Sequence, residues 1–411
     1  MLSGNRIFIV LSICMFITGL CNYKSMLNSL EYVMYGLTCV IAFFHILSQG
    51  ISLPRRYSLW LVIFLVLCSI NAIISQYTVS IMQFLIGTVI TLIPFLYFII
   101  SYNYKFSKYE IVKFIDLIII TTITINIISL CETFIFKSAD LIVGFVDTSI
   151  FWFQYLVSIN NHIIILCIAM YKISNKKIYI YYIAICAIYV ILSIQLKTYI
   201  GLGLILIGYV LIYHKQNILL NIIKIGVPLS ILCVLLAQVP QIASKVIHYS
   251  NIYITDSQGV ARAELYKTAV DISINHLPLG SGQGTYGSIP ANTYDSQVYR
   301  DYQLEYIWGL SKHDDYNFRM DTHWASILGE NGLLGTIVYL IIYTFPLFTI
   351  RKYKNRFKEY YFLITMCYIV ISIESITLNL IARLPFIVIY SGLSGLILRH
   401  ISNNLKSRTN D

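Results

Sequence analysis

The feature that most constrains this chain is a series of apolar runs, each about as long as the hydrocarbon core of a bilayer is thick. Hydrophobic residues make up 58% of its 411 residues and charged residues only 12%, against roughly 45–50% and about 25% in soluble domains. The composition argues against a soluble enzyme and predicts an all-α polytopic membrane protein. We place twelve transmembrane helices at residues 7–21, 30–47, 58–75, 81–100, 114–136, 151–171, 178–195, 198–213, 219–238, 325–349, 360–379 and 384–398.

The placement of basic residues tests this count. With a cytoplasmic N-terminus, most of the 29 Lys and Arg residues fall in cytoplasmic connections, as the positive-inside rule expects. Twelve spans then put both termini in the cytoplasm. The spans at 178–195 and 198–213 are short and adjacent, and if they formed one span the termini would lie on opposite sides. The first span has Leu20 where a cleavage site needs a small residue, so we interpret it as an uncleaved anchor.

One long polar segment, residues 239–324, lies between the ninth and tenth spans. It holds nine of the 19 acidic residues and nine tyrosines, too aromatic a composition for a disordered loop. It predicts a folded extracytoplasmic domain between membrane domains at 1–238 and 325–411. Within it, residues 260–274 have the pattern of an amphipathic helix that would lie on the membrane surface, with Leu265, Ala269 and Ile272 on one side.

Several sequence motifs of known chemistry are absent. The chain has no P-loop, HExxH or GxSxG, and GSGQG at 280–284 lacks the strand, helix and distal acid of a dinucleotide site. The nine cysteines fall in or beside apolar runs and form no CxxC pair. We therefore predict no metal, no other cofactor and no nucleic-acid partner, since the placement of the net charge of +10 fits membrane topology.

Two stretches carry a family resemblance. ARAELYKTAVDISINHLPLGSGQGTYGS, residues 261–288, has an Arg at the start of a helix and then a His-x-Pro-x-Gly-x-Gly-x-Gly turn. THWASILGENGLLG, residues 322–335, enters the next span through His-x6-Glu-x-Gly-x-x-Gly. In these motifs and in its late extracytoplasmic loop the chain resembles the O-antigen polymerase and O-antigen ligase superfamily (Wzy type). The motifs cover roughly residues 195 to 335, and the remainder is similar only in hydropathy.

The resemblance implies an inverting, metal-independent glycosyl transfer at the outer leaflet of a bacterial inner membrane. A saccharide on undecaprenyl diphosphate would move to a hydroxyl of an acceptor sugar on another lipid-linked unit. Membrane lipid and a regulator of chain length are the further partners that it implies. The family's loop Arg and loop His fall on Arg262 and His323, and its second basic residue, commonly Arg, falls on Lys197 in IQLKTYIGLG. Lys departs from the pattern but still supplies a cation for phosphate.

The chemistry of these positions agrees with such a transfer. A lipid diphosphate develops negative charge as it leaves, so Arg262 and Lys197, with Arg383 at the outer end of a span, would bind it. His323 would accept the proton of the attacking hydroxyl. Glu330 would orient His323 or bind acceptor hydroxyls. The predicted substrate loop, whose amides and aromatic rings would face phosphate and sugar, comprises Gly280, Gly282, Gly284, Tyr286 and Trp308.

Each of these assignments has a structural alternative. Arg262 would equally face lipid headgroups, His323 would cap a helix, and Glu330 would pair with a basic neighbour. Among polar residues inside the spans, His162 and its neighbours are more often found joining helices by hydrogen bonds. Glu374, near the middle of its span, is the functional candidate among them.

Three functions are compatible with this sequence. The leading one is a polysaccharide polymerase that makes O-antigen, capsule or a related polymer. A ligase that moves finished polymer onto lipid A core would need the same residues on the donor side. A lipid-linked oligosaccharide flippase belongs to a different class, and it would need two related halves around a charged central cavity, whereas the polar content of this chain is concentrated in one loop.

Overall fold

The computed structural model describes residues 4–20, 26–50, 52–136, 155–193, 195–214, 261–314 and 318–409. Within these ranges every regular element is a helix. The first eight are α1 (Gly4–Leu20), α2 (Met26–Gln49), α3 (Arg55–Ile74), α4 (Ile81–Asn103), α5 (Lys108–Phe136), α6 (Leu156–Ser174), α7 (Ile178–Leu192) and α8 (Leu196–Tyr213). The later ones are α9 (Ala261–Asn275), α10 (Ile289–Thr293), α11 (Val298–Asp301), a 3-10 turn (Leu304–Tyr306), α12 (His323–Arg351), α13 (Lys358–Glu374), α14 (Leu384–Ile387), a π-helical turn (Val388–Gly392) and α15 (Leu393–Thr409).

The helices confirm an all-α protein with membrane-spanning character. A helix lies at each predicted span except the ninth, 219–238, which falls outside the described residues together with 239–260. The total of twelve therefore stays a prediction. Six segments are long and apolar enough to cross a bilayer, namely Arg55–Ile74, Ile81–Asn103, Lys108–Cys131, Leu156–Ser174, His323–Arg351 and Leu384–Leu405.

The bundle has two ends, which α12 and α13 define. We call the end with the turn between Arg351 and Lys358 the basic end. We call the opposite end the loop end, because residues 261–322 pack there. At the loop end α13 returns to the start of α12, where the backbone N–H of His323 donates to the carbonyl oxygen of Ser375 at 3.3 Å.

Helix ends that carry basic residues meet at the basic end. The hydroxyl of Ser52 accepts a hydrogen bond from Arg399 at 2.5 Å, and the Ser52 amide donates to Asn103 at 2.8 Å. The side chain of Asn5 donates to the carbonyl oxygen of Lys105 at 3.1 Å. The starts of α1 and α3 and the C-terminal parts of α4 and α15 therefore lie together. These Lys and Arg residues are ones that the sequence predicts on the cytoplasmic side.

Helix α12 is broken at Gly332. This residue has φ 60° and ψ −166°, a conformation that is essentially open to glycine alone. His323 and Tyr339 lie 16 positions apart, which corresponds to about 24 Å along an unbroken helix. Yet the Nε2 of His323 is 2.9 Å from the Tyr339 hydroxyl. The two arms of α12 therefore fold toward each other around an apex at Gly332, and the predicted continuous span 325–349 is corrected to a bent one.

Residues 261–322 form most of a second apolar core, to which Tyr77 and Ala325 also contribute. Leu265 and Ile272 of α9 are fully buried in it, together with Tyr286, Tyr299 and Leu310. The rings of Tyr286 and Tyr299 stack with their centroids 5.8 Å apart. Since α9 also packs on α12, its apolar side faces protein, which corrects the predicted placement on a membrane surface.

A buried arginine ties this core together. Arg319 is fully buried, its guanidinium lies 4.1 Å from the centroid of the Tyr299 ring, and its Nε donates to the carbonyl oxygen of Leu310 at 2.6 Å. Its Nη1 is 3.4 Å from a carboxylate oxygen of Asp295, which also pairs with Arg300 at 3.0 Å. Partial burial raises the pKa of Asp295, but the cations around it outweigh this effect and hold the pKa below its ordinary value.

Candidate active site

His323 begins α12 and is buried, with 3% of its surface exposed. Its Nδ1 lies 2.9 Å from Oδ1 of Asn379, and its Nε2 lies 2.9 Å from the Tyr339 hydroxyl. When Nδ1 carries the proton and donates to Asn379, Nε2 accepts the hydrogen bond from Tyr339. The surroundings thus favour a ring whose Nε2 is unprotonated, which is the form that a general base needs.

A cavity of about 40 Å³ lies beside His323. Ser288, Asn379 and Arg383 contribute to its polar lining. The Arg383 guanidinium also lies 5.4 Å from the centroid of the Tyr155 ring. The cavity has room for a water molecule or a hydroxyl group but not for a sugar ring. The structure thus brings two of the predicted site residues, His323 and Arg383, to one cavity.

An ion pair ties Arg262 to the segment that precedes His323. Its Nη2 lies 2.7 Å from Oδ2 of Asp321, two residues before His323. Its guanidinium is 5.8 Å from the centroid of the Phe318 ring, which in turn packs at 5.5 Å against Trp308. About a third of the Arg262 side chain is exposed, and its Nε has no hydrogen-bond partner in the described part of the chain. Asp321 therefore neutralises part of this charge while other guanidinium donors remain for an anion.

Lys197 lies in the first turn of α8, next to the end of α13. It attracts the buried carboxylate of Glu374 electrostatically. The side chain of Asn161 donates to the same carboxylate at 2.7 Å. The residue after Glu374 is Ser375, the backbone partner of His323. Lys197 therefore lies at the loop end, beside Glu374.

The carboxylate of Glu330 is bound by the loop. Its Oε1 accepts hydrogen bonds from the Ser288 hydroxyl at 2.6 Å and from the Tyr286 amide at 3.1 Å. Only 1% of Glu330 is exposed. Among the described side chains, Asn379 and Tyr339 form the hydrogen bonds to the His323 ring. These two residues, and not Glu330 as the sequence suggested, therefore orient the ring.

The glycine turn at 280–284 is buried against the apex of α12. The amide of Ser281 donates to the carbonyl oxygen of Gly329 at 2.8 Å, and the amide of Gly282 donates to that of Glu330 at 3.0 Å. A β-carbon at Gly280 would overlap the carbonyl group of Gly329. Two of the turn's amides are therefore bound by the bend of α12 rather than facing an open site.

The other side of the same turn packs against α4. Gln83 donates from Nε2 to the carbonyl oxygen of Gly284 at 2.9 Å. Gly87, one turn further along α4, approaches so closely that a β-carbon there would overlap the backbone of Gly284. Gly282 and Gly284 have φ of 104° and 81°, which favour glycine. The sequence assigned Gly280, Gly282 and Gly284 to phosphate or sugar, and the structure gives their backbone a packing role.

The two aromatic residues of the predicted substrate loop have different positions. Tyr286 is fully buried, and its hydroxyl donates to the carbonyl oxygen of Leu265 at 2.5 Å. Its ring therefore belongs to the core and is not available to a sugar. Trp308 is 62% exposed, so its ring remains open to a ligand at the outer surface of the loop.

Sequence reasoning missed the partners of the proposed base. Asn379 lies at the end of a predicted span, where a polar residue is common, and Tyr339 is one of 34 tyrosines. Tyr339 reaches His323 only because α12 bends. The available signal was the spacing of Gly329, Gly332 and Gly335, which the motif interpretation treated as the entry to a straight helix.

Neither a model of a known protein family nor a curated protein matches this chain. The loop end holds a buried histidine, an arginine on the same cavity, and two further cations, Arg262 and Lys197, each beside an acid. This arrangement suits a reaction in which an anion departs next to a group that accepts a proton.

Proposed function

We propose that this chain is a bacterial inner-membrane glycosyltransferase that polymerises a surface polysaccharide from lipid-linked repeat units. The donor is a saccharide on undecaprenyl diphosphate, and the acceptor is a sugar of another lipid-linked unit. The observation that carries the proposal is the buried His323 beside a cavity that Arg383 also lines. The family-like motif THWASILGENGLLG forms both this histidine and the apex above it.

The proposed reaction is a single displacement. The acceptor oxygen attacks the anomeric carbon, the bond from that carbon to the diphosphate oxygen breaks, and its electron pair leaves with the diphosphate. The hydroxyl proton passes to Nε2 of His323 when the acceptor replaces Tyr339 as hydrogen-bond partner. Arg262, Lys197 and Arg383 stabilise the leaving anion. Attack from the face opposite the diphosphate inverts the anomeric configuration.

Substrate entry requires movement in this proposal. The cavity of about 40 Å³ admits a hydroxyl group but not a sugar ring. Met320 and Arg383 lie on its lining and are carried by connecting segments rather than by the long helices. Their separation would open the site to a lipid-linked saccharide. The exposed Trp308, linked to Arg262 through Phe318, offers a stacking surface for the sugar.

The sidedness of the proposal follows from charge. Basic helix ends meet at the basic end, as the contacts of Arg399 and Lys105 indicate. The positive-inside rule assigns such an end to the cytoplasm. The loop end with His323 is then periplasmic, where lipid-linked repeat units are joined without a nucleotide, because the diphosphate bond of the donor already carries the required free energy.

Deletion of the gene in its native host tests the proposal. Surface glycolipids are separated on a gel beside a complemented strain. A band one repeat unit above the core, without longer polymer, supports a polymerase. Bare core with polymer retained on undecaprenyl diphosphate would instead show a ligase. Single repeat units trapped on the cytoplasmic leaflet would show a flippase and contradict the assignment of His323.

Complementation with point variants tests the residues. Arg262→Ala and His323→Ala should each abolish polymer in the deleted strain while the protein remains in the membrane at normal abundance. Unchanged polymer length and amount with either variant would remove that residue from the site.

A further inference from the structure

A second, larger cavity lies at the basic end, between α8 and α13. It measures about 480 Å³, within the range of small-molecule sites, which is roughly 300–1,000 Å³. We call it the lysine groove. Its lining includes Leu211, Lys354, Lys358, Thr365, Met366 and Ile369.

The groove is cationic where it meets the turn between α12 and α13. Lys354 and Lys358 both line it. The Lys358 ammonium lies 4.9 Å from the centroid of the Tyr213 ring, and the ammonium of Lys172 lies 5.3 Å from the same centroid. Two lysines from separate segments, Lys172 and Lys358, thus converge on one aromatic ring, and Lys354 lines the same groove. Aromatic faces hold ammonium groups in place while leaving their N–H donors available.

Acidic side chains do not balance this cluster. Within the described residues no carboxylate lies within ion-pair distance of Lys172, Lys354 or Lys358, whereas six ion pairs lie in the segment 261–321. The nearby acid is Glu359, which interacts electrostatically with Tyr213. One carboxylate against three ammonium groups leaves net positive charge, so the mouth of the groove complements an anion.

Away from the lysines the groove is apolar. Leu211, Met366 and Ile369 line it, and Leu211 and Ile369 are also exposed at the helix surface. From Lys358 to Ile369 the lining follows α13 for eleven residues, which is about 16 Å. A cationic mouth that leads into an apolar channel of this length matches a headgroup followed by an acyl chain.

One polar group lies between the two parts. The hydroxyl of Thr365 is buried, lines the groove, and has no hydrogen-bond partner among the described residues. It lies seven residues from Lys358, or about 10 Å along α13. The ester groups of a phospholipid lie between its phosphate and its chains, so this unpaired hydroxyl lies where an ester oxygen would accept a hydrogen bond.

We propose that the lysine groove is a binding site for an anionic phospholipid, with the phosphate at Lys354 and Lys358 and one acyl chain along Leu211, Met366 and Ile369. Clusters of basic residues at the cytoplasmic ends of membrane helices recognise such headgroups by charge. The lipid would join α8 to α13, whose other ends carry Lys197 and Glu374. The site does not depend on the proposed transferase activity.

Native mass spectrometry of the full-length protein in neutral detergent tests this site. Phosphatidylglycerol and phosphatidylcholine with identical acyl chains are titrated separately. The double variant Lys354→Gln with Lys358→Gln is compared with Arg351→Gln with Lys352→Gln, which removes the same charge from neighbouring positions outside the groove. We expect the groove variant to bind phosphatidylglycerol about tenfold more weakly, and the control to bind it as the unaltered protein does.

Two further experiments distinguish a phospholipid site from binding by charge alone and from a simple phosphate site. Ile369→Trp should narrow the apolar part and weaken phosphatidylglycerol binding while leaving the thermal unfolding temperature unchanged. Soluble glycerol phosphate should not compete. Equal weakening in both double variants, equal binding of phosphatidylcholine, or effective competition by glycerol phosphate would each overturn the proposal, because charge alone or a simple phosphate site would then explain the binding.

Discussion

The two ends of the bundle hold their cations in different ways. At the loop end Arg262 lies 2.7 Å from Asp321, and the fully buried Arg319 lies 3.4 Å from Asp295. At the basic end Lys354 is exposed and has no carboxylate at ion-pair distance in the described chain. Charges that are fixed by partners are already oriented before a ligand arrives, which is what stabilisation of a departing anion requires. Charged side chains without such partners are able to bind the anionic headgroups of membrane lipids instead.

The largest expected effect separates a loop-end lysine from a basic-end lysine. Lys197→Ala should lower polymer formation by about 100-fold or more, because a fixed cation near a developing anion is lost. Lys197→Arg should retain activity, since it keeps the charge. Lys352→Ala at the basic end is the matched control and should leave polymer unchanged. Polymer length and amount in the complemented strain measure this, and equal activity of the Ala and Arg variants would remove Lys197 from the site.

The second prediction concerns buried acids. Glu330→Ala should lower the free energy of unfolding by about 2–3 kcal/mol, because the Ser288 hydroxyl and the Tyr286 amide lose a buried acceptor. Glu359→Ala at the basic end, where the side chain is only partly buried, should cost less than about 0.5 kcal/mol. Thermal unfolding of both variants in detergent provides the comparison. Similar losses in the two would show that the loop does not depend on Glu330.

The third prediction tests how tightly the glycine turn is packed. Gly87→Ala should destabilise the protein by about 1–3 kcal/mol, because the added methyl group overlaps the backbone of Gly284. Gly36→Ala is the control, since nothing lies within 4 Å of a β-carbon there, and alanine is the better helix former. Unfolding temperatures in detergent should fall for the first and hold or rise for the second. A neutral Gly87→Ala would mean that the turn does not lie against α4.

The smallest expected effect depends on pH. The pKa of Asp295 in the folded protein lies below its ordinary value. Its carboxylate therefore stabilises the fold at pH values above the unfolded-state pKa of about 4. This stabilisation is lost as the pH falls through the lower pKa of the folded state. The difference in unfolding temperature between the unaltered protein and Asp295→Asn should therefore be present at pH 7 and should narrow below about pH 4. A difference that does not change with pH would exclude the ion pairs with Arg319 and Arg300 as its cause.

Much of the fold follows from hydrophobic run length. Runs of about twenty apolar residues predict helices wherever they occur, and the described helices α1–α8 and α12–α15 lie at the predicted positions. The bend at Gly332 was not predictable in this way, because hydropathy averages over the glycines. Mean hydropathy does not report the local backbone conformation at Gly332. Because of this conformation, Tyr339 rather than Glu330 contacts His323.

The candidate site was predictable in part. Motif spacing singled out Arg262 and His323, and its place at the outer end of a span singled out Arg383. The structure places these three at the loop end. The sequence did not reveal that Glu330 and the glycine turn bind each other. A carboxylate and a glycine-rich turn are both common in ligand-binding sites, and only their contacts show that they are bonded to each other here. A carboxylate that lies within hydrogen-bond distance of backbone amides accepts their hydrogen bonds, so these amides are no longer available to a substrate.

The most direct test of the account measures polymer formation by the purified protein in liposomes, with lipid-linked repeat units as the only substrate. His323→Ala is compared with His313→Ala, which removes an exposed histidine from the same folded loop. Both variants are first shown to unfold at temperatures close to that of the unaltered protein. We predict a loss of about 100-fold or more for His323→Ala and none for His313→Ala. Polymer formation by His323→Ala at the rate of the unaltered protein would contradict the assignment of His323 as the base of a glycosyltransferase.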